Sequence, residues 1–194
     1  MQIFGLTGTA GSGKDTIADL LCEMYGMENM NTSNLVRAIT RYIYKLPHDF
    51  NPIRDQLFEV ANVLRSLNPA TTVELCLLQA KELGVEIALI TGLRSMGEAN
   101  AVIKAGGKII GIDADIHVRY DRIFTRGRDA EVKKTFEQFA KHDVYENEGL
   151  ATMGDGRGIR YIIDSADVII NNSGTLEELK KELEAKIHPL LGSN

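Results

Sequence analysis

Apolar and polar positions alternate along the chain in two rhythms. Short apolar runs recur at Ile3 to Leu6, Val85 to Ile90, Lys108 to Ile112 and Val168 to Ile170. All four read as strands; Val85 to Ile90, rich in β-branched residues, reads as buried on both faces and Lys108 to Ile112 as the next buried strand. The stretches between them follow the helical period. Ile17, Leu20, Leu21 and Met24 fall at i, i+3, i+4 and i+7, the stripe of a helix packed on a sheet. The segment from Gly26 to Asn31 leads to Asn31-Thr32-Ser33-Asn34, whose side chains suit a helix N-cap, and then to Leu35, Val36, Ile39 and Ile43. From Ile53 a further helix carries Leu57, Val60, Leu64 and Leu67 and stops at Asn68-Pro69. Another runs from about Thr71 to Leu83, with Gly84 placed to end it.

Further on, a helix through Glu98 to Lys104 ends at Gly106-Gly107, and one from Asp115 to Arg126 turns Ile116, Tyr120 and Ile123 inward. Asp115 reads as a helix cap. Residues 127–159 are polar and glycine-rich, with helical potential around Val132 to Ala140, and are expected to form a mobile flap. Leu176, Leu179, Leu183 and Ile187 line one face of a closing helix. Strands alternating with helices predict an α/β fold: a parallel sheet wrapped on both sides, with ligands over the carboxyl ends of the strands.

The length of 194 residues fits one domain, 1–194, with a core that needs no staple. Hydrophobic residues at 44% and charged residues at 25% give no case for disorder. A net charge of -5 argues against a general nucleic-acid binder, which collects positive charge to displace counterions. Cys22 and Cys76 form no C-x-x-C pair, and the four histidines have no metal-ligand spacing. The start of the chain has neither the basic nor the apolar stretch of a signal peptide or membrane span, so a cytoplasmic protein is expected, with no membrane partner.

The chemistry concentrates between Gly8 and Thr16, read as G-T-A-G-S-G-K-D-T. Gly8, Gly11 and Gly13 let the backbone curl with its N–H groups inward, Lys14 adds a mobile positive charge, and the helix that follows adds unpaired N–H groups. The spacing G-x-x-x-x-G-K is met; Asp15 stands where Ser or Thr is expected, with Thr16 next.

With these motifs the chain resembles the P-loop nucleoside monophosphate kinases, in the adenylate-kinase-like and dephospho-CoA-kinase-like branch that includes phage-type deoxynucleotide kinases. The loop at Gly8 to Thr16, with Asp after the lysine, resembles that of the deoxynucleotide kinases. Thr91-Gly92-Leu93-Arg94 is similar to the family's D-G-x-x-R or D-G-x-R turn, and Asn172-Ser173-Gly174-Thr175 to the loop bordering the donor base. The resemblance implies a parallel five-stranded sheet in a three-layer sandwich, an acceptor-binding insert at about 32–84, a lid at about 126–160, and ATP and Mg²⁺ as cofactors.

It also implies site roles. Lys14, Arg94 and Arg126 would be catalytic. Ala10, Gly11, Ser12, Gly13, Asp15 and Thr16, with Gly8 and Lys14, would wrap the donor phosphates, and Arg122, Asn172 and Gly174 would border the donor. Thr32, Ser33, Arg37, Arg65, Gly92, Arg94 and Arg128 would hold the acceptor. Arg119, Arg122, Arg126 and Arg128 fall where the family begins its lid. Where the family carries an acid after the third strand this chain has Thr91, so the metal is assigned to Asp15, Thr16 and Asp113. Glu98 and Asp143 are acceptor-side contacts by position only.

The expected activity is transfer of the γ-phosphate of ATP to a nucleoside monophosphate, a small-molecule partner, by a monomer or homodimer. A dephospho-CoA kinase or another small-molecule kinase is the alternative, although the D-x-P-L-L-like turn of the former is missing. A P-loop ATPase or nucleotide-binding regulatory module is the rival of another class. A GTPase switch is disfavoured by the lack of N-K-x-D.

Overall fold

A computed structural model describes residues 1–127, 135–147 and 158–192. Five strands, β1 (Gln2–Gly8), β2 (Glu28–Asn31), β3 (Ile87–Thr91), β4 (Lys108–Asp113) and β5 (Val168–Asn171), form one parallel sheet in the order β2-β3-β1-β4-β5. Central β1 is flanked by β3 on one side and β4 on the other, so the crossovers diverge there and open a crevice over its carboxyl end. The register aligns the strand ends: Leu6 pairs with Thr91, Gly8 with Ile112, Asn31 with Thr91, and Asp113 with Asn171.

The period-2 geometry of the strands sends side chains to two separate cores. On one face Phe4, Leu6, Ile110 and Ile112 pack with Ile17 and Leu21 of α1 (Lys14–Tyr25), and with Leu179, Leu183 and Ile187 of the closing helix, Leu176–Leu191. On the other face Ala88, Ile90 and Ile109 meet Val73 and Cys76 of α4 (Thr71–Glu82) and Val102 of α5 (Met96–Lys104). A third cluster, Val36, Val60 and Ala61, joins α2 (Thr32–Ile43) to α3 (Arg54–Leu67) away from the sheet.

The capping chemistry expected at Asn31 is present: its side chain accepts from the N–H groups of Ser33 and Asn34. Asp115 likewise caps α6 (Ile116–Arg126) through the N–H groups of His117 and Val118. Leu176, expected inward, is 55% exposed because it is the first residue of its helix, before the stripe reaches the sheet. Ile43 and Leu67 are exposed for the mirror reason, each closing the last turn of its helix.

Two elements escape the hydrophobic pattern. The first is β2, an edge strand in which only Met30 is buried. The second is α8 (Ile159–Asp164), which follows α7 (Phe136–Asn147) and buries Ile162 and Ile163 completely against the sheet. Within 127–159, α7 overlaps the helical potential expected around Val132 to Ala140 and α8 begins at Ile159, while 128–134 and 148–157 lie outside the described residues. Among the described residues no helix is long and apolar enough to cross a membrane.

Candidate active site

The sequence motif becomes a closed turn at the carboxyl end of β1. Gly11 and Gly13 adopt φ of +77° and +89°, which an L side chain resists, and a Cβ on Gly11 would lie 2.6 Å from the Arg119 carbonyl oxygen. Ser12, fully buried, donates its hydroxyl to the Thr9 carbonyl at 2.8 Å. Lys14, first residue of α1, donates its Nζ to the carbonyls of Gly8 at 2.8 Å and Thr9 at 2.9 Å. The loop thus curls round its own lysine. The N-terminus of α1 lies at the same mouth, with no side chain capping it.

Asn172, just past β5, holds this loop from the far side. Its backbone N–H donates to the Asp113 carbonyl and its Nδ2 to the Ser12 carbonyl, both at 2.8 Å, while its own carbonyl accepts from Arg122 Nη1 at 2.8 Å. Arg122 and Asn172 then border a cleft of about 790 Å³ whose walls include Ala10, Gly11, Gly13, Lys14, Asp15, Thr16, Arg126 and Gly174. The residues expected around the donor are brought together here, apart from Gly8, which lines a smaller adjoining cleft, and Ser12, which is buried.

Arg119 is placed differently from the lid expectation. It is only 5% exposed, and its guanidinium forms a bidentate pair with Asp143 of α7 at 2.6 Å. It also donates to the Ala114 and Ala10 carbonyls and lies over the Phe139 ring. Asp143 is consequently no acceptor contact: it binds an arginine that grips the phosphate loop. Arg128 lies outside the described residues.

A second cleft, of about 530 Å³, opens between the sheet and α2–α3. Thr32, Ser33, Arg37, Arg65, Gly92 and Arg94, all expected for the acceptor, line it together. Sequence reasoning missed Arg54, Phe58, Asn62 and the contribution of His142. Arg54 and Arg65 are eleven residues apart, three helical turns, so their spacing alone carried the signal that both face one groove. Glu98 also lines the cleft, but its role is to hold the turn bearing Arg94. One carboxylate oxygen accepts from the N–H groups of Arg94 at 2.6 Å and Ser95 at 3.2 Å, and the other from the Thr72 hydroxyl at 3.1 Å.

The third space, about 450 Å³, joins the two and is walled by Gly8, Lys14, Asp15, Arg54, Thr91 and Arg94. Ser33 and Arg94 line all three spaces. Thr91 does not face this junction unpartnered, since its hydroxyl donates to Asn29 Oδ1 at 2.7 Å. Asp113, expected as a metal ligand, lines none of the clefts: Oδ1 accepts from the Ala114 N–H and Oδ2 from Arg160 at 2.6 Å. That ion pair, with Asp164 on the same guanidinium, pushes the Arg160 pKa up, the Asp113 hydrogen bond contributing most. Asp15 and Thr16 are both exposed at the loop's mouth. Among the described residues no three acidic, histidine or cysteine side chains cluster to cage a metal.

This parallel sheet with its phosphate-type loop at the end of β1 is the P-loop NTPase α/β fold. No family model matches the chain, and no curated protein matches its sequence. Solved structures do. The chain resembles the protein TT1252 from Thermus thermophilus with a TM-score of 0.60 at 18% identity, covering 98% of each chain. A dephospho-CoA kinase from Campylobacter jejuni gives 0.58 at 18% identity over 98% of each chain, and a shikimate kinase from Aquifex aeolicus 0.56 at 18% over 100% of each. At such identities the likeness establishes the architecture.

Proposed function

We propose that the protein is an ATP-dependent small-molecule kinase that moves the γ-phosphate of ATP to a nucleoside monophosphate. The observation that carries this reading is the position of Arg94, which walls the loop-side cleft, the α2–α3 cleft and the space between them. A guanidinium so placed meets oxygens from both reactants at once. In-line phosphoryl transfer demands positioning and charge neutralisation more than covalent chemistry.

On this reading the loop N–H groups and Lys14 hold the donor phosphates, with Lys14 exchanging its carbonyl partners for phosphate oxygens. Arg122 and Arg126 border the donor, and α2–α4, within about 32–84, forms the acceptor-binding segment. The region from about 126 to 160 is the lid, to which α7 contributes His142 at the acceptor cleft. Arg37 and Arg94 clamp the acceptor phosphate, where planar forks suit phosphate oxygens.

Mg²⁺ is suited by what the loop's mouth offers. Asp15 and Thr16 provide one carboxylate and one hydroxyl, fitting a cation that keeps its waters and takes other ligands from substrate phosphates. When bound it would supply charge neutralisation between the phosphates. With Thr91 tied to Asn29 and Asp113 to Arg160, the arginines carry the remaining share.

The test is ADP release measured across ribo- and deoxynucleoside monophosphates, nucleosides and dephospho-CoA. One strong nucleoside monophosphate acceptor is the expected result. A strong response to dephospho-CoA alone moves the reading to a different acceptor. Release that no acceptor alters replaces it with the ATPase.

A further inference from the structure

Arg54 is a cation that the fold itself does not account for. It is the first residue of α3, an exposed position where the free N–H groups and the positive end of the macrodipole favour an acid, and Asp55 beside it already supplies one. Its guanidinium makes no hydrogen bond or ion pair among the described residues. Arg37 and Arg65, by contrast, rest on Asn34 and Asn62, and Arg41 on the Phe50 carbonyl. Neither the helix nor a neighbouring side chain gains from a guanidinium at position 54.

Its surroundings do account for it. Arg54 walls the α2–α3 cleft and the space joining it to the phosphate loop, but not the loop-side cleft itself. In the joining space it meets Lys14 from α1 and Arg94 from the turn after β3. Three cations thus reach one space from three separate elements. Asp15 and Asp19 wall the same space, so a phosphoryl group crossing it without those cations would face only carboxylate charge. Thr91 adds no charge there, and its hydroxyl is given to Asn29.

We infer that Arg54 is a catalytic residue that holds the phosphoryl group in transit, a role that rests on the kinase reading for its chemistry. An oxygen of the acceptor phosphate forms a bond to the γ-phosphorus as the bond from that phosphorus to the β–γ bridging oxygen breaks. The bonding electron pair stays on the β-phosphate of ADP, and no proton moves because the attacking oxygen is already anionic. Between the two bonds the charge spreads over three equatorial oxygens, which Lys14, Arg94 and Arg54 receive. Because Arg54 lies off the loop-side cleft, its charge acts on the group in transit and not on the bound donor.

The experiment compares the full chain with Arg54→Ala and Arg54→Lys in steady-state ADP release, using the nucleoside monophosphate that raises release most. It adds titrations with ADP alone and with ADP, Mg²⁺ and aluminium fluoride, a mimic of the phosphoryl group in transit, together with that nucleotide or, where none responds, without one. Arg54→Ala is expected to lower kcat and to weaken fluoroaluminate-dependent binding, each by about 10- to 150-fold, with the acceptor KM and the affinity for ADP alone little changed. Its melting temperature is expected at or above the parent's, since a cation leaves a helix N-terminus. Arg54→Lys keeps the charge without the planar fork and is expected to recover part of the loss. A kcat and a fluoroaluminate affinity equal to the parent's in Arg54→Ala overturn the inference and leave the kinase reading standing. A raised acceptor KM with kcat unchanged also overturns it and makes Arg54 an acceptor contact. Parent release that no nucleotide alters defeats the kinase reading, and the fluoroaluminate titrations then decide: weaker binding in Arg54→Ala upholds the hold on the group in transit, and equal binding overturns it.

Discussion

Arg119 and Asp143 meet as a buried bidentate pair, each 5% exposed, with both guanidinium nitrogens 2.6 Å from carboxylate oxygens. The same Nη1 donates to the Ala10 carbonyl at 3.1 Å, so the pair fastens α7 to the phosphate loop. Removing one partner leaves the other charge buried and uncompensated, which costs about 3–5 kcal/mol. Asp143→Ala is expected to lose that much stability in urea unfolding. It is also expected to bind ADP about tenfold more weakly, through the slackened loop. A variant that unfolds like the parent and binds ADP as well would show that the pair restrains nothing.

Lys14 has no packing duty that its loss would expose, since its Nζ rests on the Gly8 and Thr9 carbonyls at the mouth of the loop. Lys14→Ala is expected to retain the parent's melting temperature within a few degrees and to lower kcat by roughly 10²–10³, the scale for removing one preorganised donor to transition-state charge. ADP production near the parent level would place the donor elsewhere.

Arg37 and Arg94 come from α2 and from the turn after β3, and both line the cleft against α2–α3 that we propose holds the acceptor. Truncating either to alanine is expected to lower kcat/KM for the acceptor by about 10- to 150-fold, with ADP affinity little changed. Steady-state kinetics with the acceptor varied, set beside ADP titrations, separates the two effects. Equal weakening toward ADP would make them donor residues.

Cys76 is fully packed beneath the sheet, and burial, with Glu98 nearby, pushes its thiol from 9.0 up to about 11. In alkali the unfolded chain ionises first, so it binds fewer protons than the native state and stability falls as pH rises from about 9 to about 11. The loss over that window is about 2–3 kcal/mol. Cys76→Ala should flatten this part of the stability profile in urea titrations, and an unchanged slope would assign it to other groups.

The strands β1, β3, β4 and β5 were legible because each is a nearly unbroken apolar run, although β5, an edge strand, buries only Ile170 and leaves Ile169 37% exposed. The edge strand β2 was not, because Glu28-Asn29-Met30-Asn31 buries one side chain and takes its structure from pairing with β3. The same holds for α8, too short to show a period although Ile162 and Ile163 are fully buried.

The shape of the glycine loop could be read because its chemistry is local: glycines, a lysine and a helix start lie within nine residues. Arg119 could not, because an arginine on a helix looks solvated until Asp143, 24 residues on, is known to reach it. Asp113 misled for a related reason: its position at a strand end suggested a ligand, whereas Arg160, 47 residues later, occupies its carboxylate. Long-range charge pairing leaves no periodic trace in a sequence.

The three adjoining clefts concentrate Lys14, Arg37, Arg54, Arg65, Arg94, Arg122 and Arg126 against the carboxylates of Asp15, Asp19 and Glu98, within a chain of net charge -5. Seven cationic side chains against three carboxylates at one mouth, in a chain of net negative charge, are expected to focus field lines and draw anions in. Field lines focused in this way speed the capture of charged substrates and lose reach as the Debye length shrinks to about 8 Å at physiological ionic strength. Substrate association should slow as inert salt is added, and sulfate or phosphate buffers should compete for the guanidiniums directly.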